Sequence, residues 1–163
     1  MTDTKAPIVP IIMGSKSDLE HGRAIARALE GYGIASEIRV ASAHKVARYA
    51  LELLDAYERD GRPKVYVTIA GRSNALSGLV DGHVASPVIA CPPMSSSFGG
   101  ADVFSSLRMP SGVAPAVILD AENAALLAAK ILALAVPGLR DKVAESQRQK
   151  QEEIYRADES TRS

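Results

Sequence analysis

Residues 8–18, I-V-P-I-I-M-G-S-K-S-D, indicate how the rest of the chain folds. They begin as an apolar run that is short enough to be a buried strand, and the run breaks at Gly14. After Asp18, apolar residues recur at the spacing of a helix. The stretch is therefore predicted to be a strand, a tight loop and the N-terminus of a helix.

The junction between this strand and this helix is a candidate anion site. The first N–H groups of a helix lack backbone partners, and the helix dipole places partial positive charge there. Ser15 and Ser17 add hydroxyl donors. The pattern S-x-x-D, from Ser15 to Asp18, equally fits a plain helix cap, so the loop alone leaves both interpretations open. Neither a Walker loop nor G-x-G-x-x-G is present.

Composition limits the class of protein. A chain of 163 residues is most simply one domain, 1–163, and its 19 basic and 19 acidic residues give no charge-based case for a nucleic acid or an anionic membrane as partner. The single Cys91 excludes an intramolecular disulfide and a Cys-rich metal site. We find neither a signal-peptide pattern nor a run of about 20 apolar residues, so a cytoplasmic location is expected.

Strands and helices are predicted to alternate along the chain, which favours a parallel sheet with helices on both faces. This is a three-layer α/β sandwich of the flavodoxin or Rossmann type. Further strands are expected at 34–40, 64–70, 87–91 and 114–119, helices at 19–32, 47–59, 75–84 and 121–135, and irregular structure at 92–110.

Three polar loops, 14–18, 42–45 and 71–74, follow predicted strands. In parallel sheets ligands bind outside the carboxyl ends of the strands, so the fold alone brings these loops to one edge.

The C-terminal part is polar, and we predict a helix over about 138–157 that lies outside the core at 8–136. It has too few apolar residues to be stable alone. We expect it to pack on a neighbouring subunit through Val143, Ile154 and Tyr155; a partly disordered tail is the alternative.

His44 is the candidate for proton transfer, because it lies in a loop at a strand's carboxyl end and histidine titrates near neutral pH. Lys45 beside it is a point charge suited to phosphate. A loop histidine that is bonded to backbone is the alternative. His21 and His83 are expected at the surface, and Cys91 is expected to be a small buried group.

The residues of the third loop each allow more than one interpretation. Arg72 could bind an anion or form a salt bridge, and Ser73 and Asn74 could simply cap the next helix. No histidine spacing suits a metal, and no G-x-S-x-G nucleophile motif is present. What remains suits a phosphorylated small molecule and proton transfer at carbon, without a cofactor.

Five segments carry a specific resemblance. They are M-G-S-K-S-D (13–18), S-A-H-K (42–45), A-G-R-S-N-A-L-S-G (70–78), C-P-P (91–93) and S-S-L-R-M-P-S-G (105–112). In this order they resemble the purine-biosynthesis family that forms carboxyaminoimidazole ribonucleotide, over about 8–135. The mutase type of that family has A-G-G-A-A-H-L-P-G and S-A-H-R at the third and second loops. This sequence is more similar to the type that carboxylates aminoimidazole ribonucleotide with carbon dioxide directly.

The resemblance implies a role for each matched residue and a homotetramer or homo-octamer that needs no cofactor. Ribose phosphate would be held beside Gly14 and Ser17 by Ser15, Ser42 and Lys45, and the ribose hydroxyls by Asp18. Gly71 and Ser73 would bind the imidazole or its carboxylate, Arg72 and Asn74 would shape that pocket, and His44 would move the proton. Two alternatives remain: the mutase, and a non-catalytic nucleotide-binding module.

Overall fold

A computed structural model describes residues 5–162 and contains one parallel sheet of five strands in the order β2-β1-β3-β4-β5. This is the order of flavodoxin-like doubly wound sheets, and it places the switch point between β1 and β3. The strands are β1 Ile8–Met13, β2 Ala35–Val40, β3 Tyr66–Ile69, β4 Val88–Ala90 and β5 Ala116–Val117. The helices are α1 Leu19–Gly31, α2 Ala47–Arg59, α3 Ala75–His83, α4 Phe104–Leu107, α5 Ala121–Leu132 and α6 Leu139–Thr161.

The sheet is covered on both faces, because successive residues of its buried strands point to opposite sides. Val9, Ile11 and Met13 of β1 belong to one apolar cluster, which α1, α5 and the start of α6 complete. Ile8 and Ile12 belong to a second cluster with residues of α2 and α3. The predicted three-layer sandwich is therefore confirmed.

Element boundaries differ from the prediction where local chemistry limits a strand or extends a helix. The last strand was expected over 114–119 but is only Ala116–Val117, directly after Pro115, which has no N–H for a ladder. The segment 92–110, expected to be irregular, contains the 3-10 segment Ser97–Val103 and α4. A 3-10 turn, Lys16–Asp18, also precedes α1.

Helix α6 extends to Thr161, beyond the expected end near residue 157. Ion pairs between neighbouring turns, such as Arg156–Glu152 at 3.1 Å and Arg162–Asp158, support its exposed end. Val143 is 6% exposed and packs into its own subunit's core, so the expectation that it contacts a neighbour was wrong. Ile154 and Tyr155 are 69% and 63% exposed, and their expected contact with another subunit stays a prediction.

Helix α6 is attached to the end of α1 by polar contacts. Lys142 Nζ donates a hydrogen bond to Tyr32 O at 3.0 Å, and the Tyr32 hydroxyl lies 3.3 Å from Ser146 Oγ. Within residues 5–162, no helix has both the length and the apolar character that crossing a membrane requires.

Candidate active site

The loops that follow β1, β2 and β3 meet at the carboxyl edge of the sheet. Strand β1 lies between the other two, and backbone hydrogen bonds join the strand ends. Gly14 N donates to Ile69 O at 2.9 Å, and Ala41 N donates to Met13 O at 2.8 Å. The fold thus brings the three predicted loops together.

In the first loop, Ser15 caps the turn that leads into α1. Its Oγ accepts a hydrogen bond from Ser17 N at 3.2 Å and from the Ser17 hydroxyl at 2.8 Å. Asp18 makes no side-chain cap bond, and its Oδ1 lies 3.3 Å from Ser17 Oγ. The capping interpretation therefore holds for Ser15 but leaves the Asp18 carboxylate able to accept hydrogen bonds from a ligand.

The same loop also has the donors that an anion needs. Ser15, Lys16 and Ser17 are exposed. Within residues 5–162, no protein group accepts a hydrogen bond from the N–H groups of Ser15 and Lys16. An anion at this junction would therefore meet unpaired backbone donors as well as hydroxyl groups.

In the second loop, a turn presents His44 and Lys45 to solvent. The Ser42 carbonyl accepts hydrogen bonds from Lys45 N at 3.3 Å and Val46 N at 2.9 Å, while the Ser42 side chain is half-buried. The His44 imidazole and the Lys45 ammonium have no hydrogen-bond or ion-pair partner among the described residues. The structure thus does not support the alternative of a histidine tied to backbone, and both groups are available to a ligand.

In the third loop, Arg72 has a left-handed backbone, with φ of 56°. This conformation is uncommon for residues other than glycine, and it occurs in the anion-binding nests that successive N–H groups form. In the described part of the chain, the N–H groups of Gly71, Arg72 and Ser73 have no protein acceptor. The Arg72 and Ser73 side chains are exposed. This loop can therefore offer backbone donors to a carboxylate.

Asn74 is 5% exposed and points into the protein. Its Oδ1 accepts from Ser77 N at 3.1 Å, which caps α3, and its Nδ2 donates to Ser77 Oγ at 2.7 Å and Ser106 Oγ at 2.8 Å. The capping alternative thus describes its side chain. Any contribution of Asn74 to ligand binding comes through the loop that it holds.

Cys91 at the end of β4 is fully buried, as expected, and burial, with the Asp120 charge second, raises the pKa of its thiol to about 12. His21 is half-buried and its Nε2 lies 3.2 Å from Cys91 Sγ, so its expected surface position was wrong. His83 is exposed, as expected, with its Nε2 2.8 Å from Asp55 Oδ1.

Sequence reasoning gave no role to Ser105 and Ser106, although both lie in a quoted motif. Ser105 Oγ accepts a hydrogen bond from Asn74 N at 3.0 Å, and Ser106 receives one from the Asn74 side chain. Pro93 also packs on the loop: its Cγ would lie 3.5 Å from a Cβ at Gly71. The motifs that follow β4 therefore surround the third loop.

The fold and this edge define the class of protein. It is a doubly wound α/β protein whose strand ends present hydroxyls, one carboxylate, an imidazole, three cationic side chains and unpaired backbone donors. Such a set suits a small phosphorylated ligand that changes its protonation during a reaction.

The chain belongs to the AIR carboxylase family, whose model matches residues 8–153. It is 57% identical over 152 residues to a phosphoribosylaminoimidazole carboxylase of Archaeoglobus fulgidus, which covers 93% of this chain and 83% of the relative. A carboxylase of the same name from Treponema denticola is 56% identical over 137 residues, 84% of this chain and 86% of the relative.

Solved structures agree with the family. The crystal structure of Treponema denticola PurE superimposes with a TM-score of 0.93 at 51% identity, over 94% of this chain and 98% of that one. The expectation of a carboxylase of purine biosynthesis is confirmed.

Proposed function

We propose that this chain carboxylates aminoimidazole ribonucleotide (AIR) reversibly with free carbon dioxide, giving carboxyaminoimidazole ribonucleotide (CAIR) without a cofactor. The carboxylase activity itself follows from the membership of the chain in the AIR carboxylase family. The direct use of carbon dioxide and the residue roles are the proposal. The observation that carries them is an exposed, unengaged His44 at the same sheet edge as the unpaired N–H groups of loop 71–73.

The ribose phosphate would bind where the first two loops meet. The unpaired N–H groups of Ser15 and Lys16 and the side chains of Ser15, Ser42 and Lys45 supply donors and one positive charge. Asp18 would accept hydrogen bonds from the ribose hydroxyls, because a carboxylate without a cap bond retains its acceptor sites.

The proposed reaction needs a group that removes the C4 proton, but it does not need a group that makes C4 nucleophilic. AIR is an enamine, so its C4 already carries electron density that can form a bond to the carbon of carbon dioxide. The adduct is tetrahedral at C4 and still carries the C4 proton. His44 would remove that proton, the C–H electron pair would return to the ring, and aromaticity would be restored. In the reverse direction, His44 would protonate C4 and carbon dioxide would leave.

The third loop would bind the carboxylate that this step creates. Carbon dioxide is apolar, and the product carboxylate is anionic, so a group of backbone donors stabilises the charge that develops during the reaction. The N–H groups of Gly71 and Ser73 fit that need, with Arg72 and Asn74 shaping the loop around them.

The second candidate is the mutase, which would take its carboxyl group from N5-carboxyaminoimidazole ribonucleotide. The sequence A-G-R-S-N at 70–74 departs from the mutase pattern A-G-G-A-A and favours the carboxylase. Both reactions need proton transfer at C4, so the source of the carboxyl group must be measured.

The deciding experiment supplies each carboxyl source separately. Purified protein receives AIR and varied bicarbonate without ATP, and in parallel the N5-carboxy compound in carbon dioxide-depleted buffer, with CAIR followed by absorbance. We expect a rate that rises with dissolved carbon dioxide and little conversion of the N5 compound. Efficient conversion without carbon dioxide would make the chain a mutase. Inactivity in both assays would favour a binding module.

We also propose that the chain works as a homotetramer or homo-octamer. Large apolar side chains are exposed on the segment after β4, where Met94, Phe98 and Phe104 are 84%, 87% and 65% exposed. A concentration of this kind is typical of an interaction surface. Light scattering of the purified protein tests it, and a monomer at micromolar concentration would contradict it. A cytoplasmic location stays a prediction.

A further inference from the structure

Ser105 on α4 bonds to the third loop on both sides of Ser73. Its Oγ accepts a hydrogen bond from Asn74 N at 3.0 Å. Its one proton can go to Arg72 O at 2.9 Å or to Asp102 O at 2.8 Å in its own turn. The hydroxyl therefore holds the two peptide groups that flank the Ser73 residue.

Ser106 extends this contact into the interior. It is 1% exposed and accepts a hydrogen bond from Asn74 Nδ2 at 2.8 Å. The Asn74 amide also bonds to Ser77, whose hydroxyl lies 2.8 Å from Thr68 Oγ1. Ser77 and Thr68 are both fully buried. A continuous set of hydrogen bonds thus fixes the loop to β3 and α3, and buried groups of this kind are costly to leave unpaired.

The loop needs such support because of its backbone. A left-handed conformation is unfavourable for arginine and persists only where the surrounding structure enforces it. Arg72 adopts it with its side chain exposed, so side-chain packing does not enforce it. The contacts that can support it include the hydrogen bond that Ser105 can donate to the Arg72 carbonyl and the anchored Asn74, beside the backbone bond from Ala75 N to Ser73 O at 3.0 Å.

We infer that Ser105 and Ser106 are positioning residues for the carboxylation, acting by holding loop 71–74 so that its N–H groups face the carboxyl group. This inference rests on the proposed function. It assigns the motif S-S-L-R-M-P-S-G at 105–112 a role that does not involve direct contact with AIR. Because the phosphate and ribose contacts lie on the other two loops, the two serines affect the carboxyl end of the reaction selectively.

Four variants test the inference. Ser105→Ala removes the bridging hydroxyl, and Ser105→Thr keeps it on a partly exposed residue. Ser106→Ala removes the acceptor for Asn74. Ser111→Ala is the matched control, since Ser111 is exposed in the same motif and its side chain has no hydrogen bond within residues 5–162.

We expect the serine variants to impair the use of carbon dioxide while leaving the binding of AIR nearly unchanged. In Ser105→Ala and Ser106→Ala, kcat/KM for carbon dioxide falls at least about 10-fold, while the Kd for AIR from calorimetry stays within about 3-fold. Ser105→Thr recovers most of the rate, and Ser111→Ala matches the unmodified chain. A uniform loss for both substrates, or kinetics equal to those of Ser111→Ala, would overturn the inference.

A double-mutant cycle distinguishes a loss of rate that arises from the loop backbone from one that arises from a general loss of folding. Glycine adopts φ above zero without the penalty that arginine has. The Arg72→Gly change should therefore reduce the effect of Ser105→Ala, even if removing the arginine side chain has its own effect. Additive losses in the cycle would contradict the inference. If Ser105→Ala does not fold, Ser105→Cys, which keeps the volume but weakens the hydrogen bonds, replaces it throughout.

The unmodified chain separates this inference from the proposed function. If it fails to use carbon dioxide, the proposed function fails. If it uses carbon dioxide and the serine variants behave like the control, only the positioning role fails.

Discussion

Replacing His44 by asparagine should leave the fold and AIR binding intact and remove most of the turnover. The side chain is exposed, and the described residues contain no hydrogen-bond partner for it. The turn around it is closed by backbone bonds from Lys45 and Val46 to the Ser42 carbonyl, which the substitution retains. We therefore expect a stability change within about 0.5 kcal/mol, the usual range for an exposed residue without contacts.

The expected loss of rate follows from the role of the imidazole. A positioned general acid–base contributes about 10²- to 10⁴-fold. At about 1.4 kcal/mol per factor of ten, this corresponds to roughly 3–6 kcal/mol of transition-state stabilisation. The loss should appear in kcat for both directions, because in the proposed mechanism the same group would remove the C4 proton in carboxylation and return it in decarboxylation.

The assay follows AIR carboxylation and CAIR decarboxylation by absorbance, with calorimetry for AIR binding and urea unfolding for stability. His83→Asn is the matched control, since His83 is an exposed histidine on α3 that bonds to Asp55, away from the three loops. Turnover of His44→Asn within tenfold of the unmodified chain would refute the reasoning. So would a similar loss in His83→Asn.

Three further predictions concern stability and reactivity. Burial, followed by the hydrogen bond to Glu37, raises the pKa of Tyr57 to about 12, so the folded state holds this proton more tightly and stability falls as pH rises above about 10. Between pH 9 and 11, Tyr57 should account for about 1 kcal/mol of that fall. In urea unfolding, the free energy of unfolding of Tyr57→Phe should therefore decrease less steeply with pH than that of the unmodified chain. Equal slopes for the two chains would contradict this prediction. Burial raises the pKa of Cys91 to about 12, so alkylation of this thiol by iodoacetamide at pH 8 should be about 10³-fold slower in the folded chain than in urea. Mass spectrometry measures both rates, and equal rates would contradict the raised pKa. Asp120 Oδ1 accepts from Asn123 N at 2.9 Å and caps α5, so Asp120→Ala should cost about 1 kcal/mol in urea unfolding while Asp120→Asn costs less; equal stability of the two variants argues against the cap.

The architecture was predictable because its signals are local. Residues 8–13 are apolar without interruption, and all six are buried in β1. The polar residues that follow this run mark the strand's carboxyl end, and parallel strands place such ends together. The same reasoning located the loops of His44 and Arg72, although it could not show whether their groups were engaged.

The contacts that sequence reasoning missed join residues that are far apart in the chain. Asn74 and Ser106 are separated by 32 positions, and His21 and Cys91 by 70. Serine and asparagine are ordinary loop residues, so nothing in their own neighbourhood indicates that they are buried. The available signal was the presence of quoted motifs, at 91–93 and 105–112, to which no ligand role had been assigned.

The buried bonds around Asn74 also bear on how the third loop of this chain departs from the mutase pattern. The mutase pattern A-G-G-A-A-H-L-P-G has glycine where this chain has Arg72, alanine where it has Asn74, and proline where it has Ser77. A glycine adopts the left-handed conformation by itself, whereas arginine needs external support. Asn74 and Ser77 supply that support together with Ser105 and Ser106. The positioning inference therefore links the departures from the mutase pattern physically: the anchored asparagine at 74 would support the left-handed arginine at 72, and the serines that face the asparagine would anchor it.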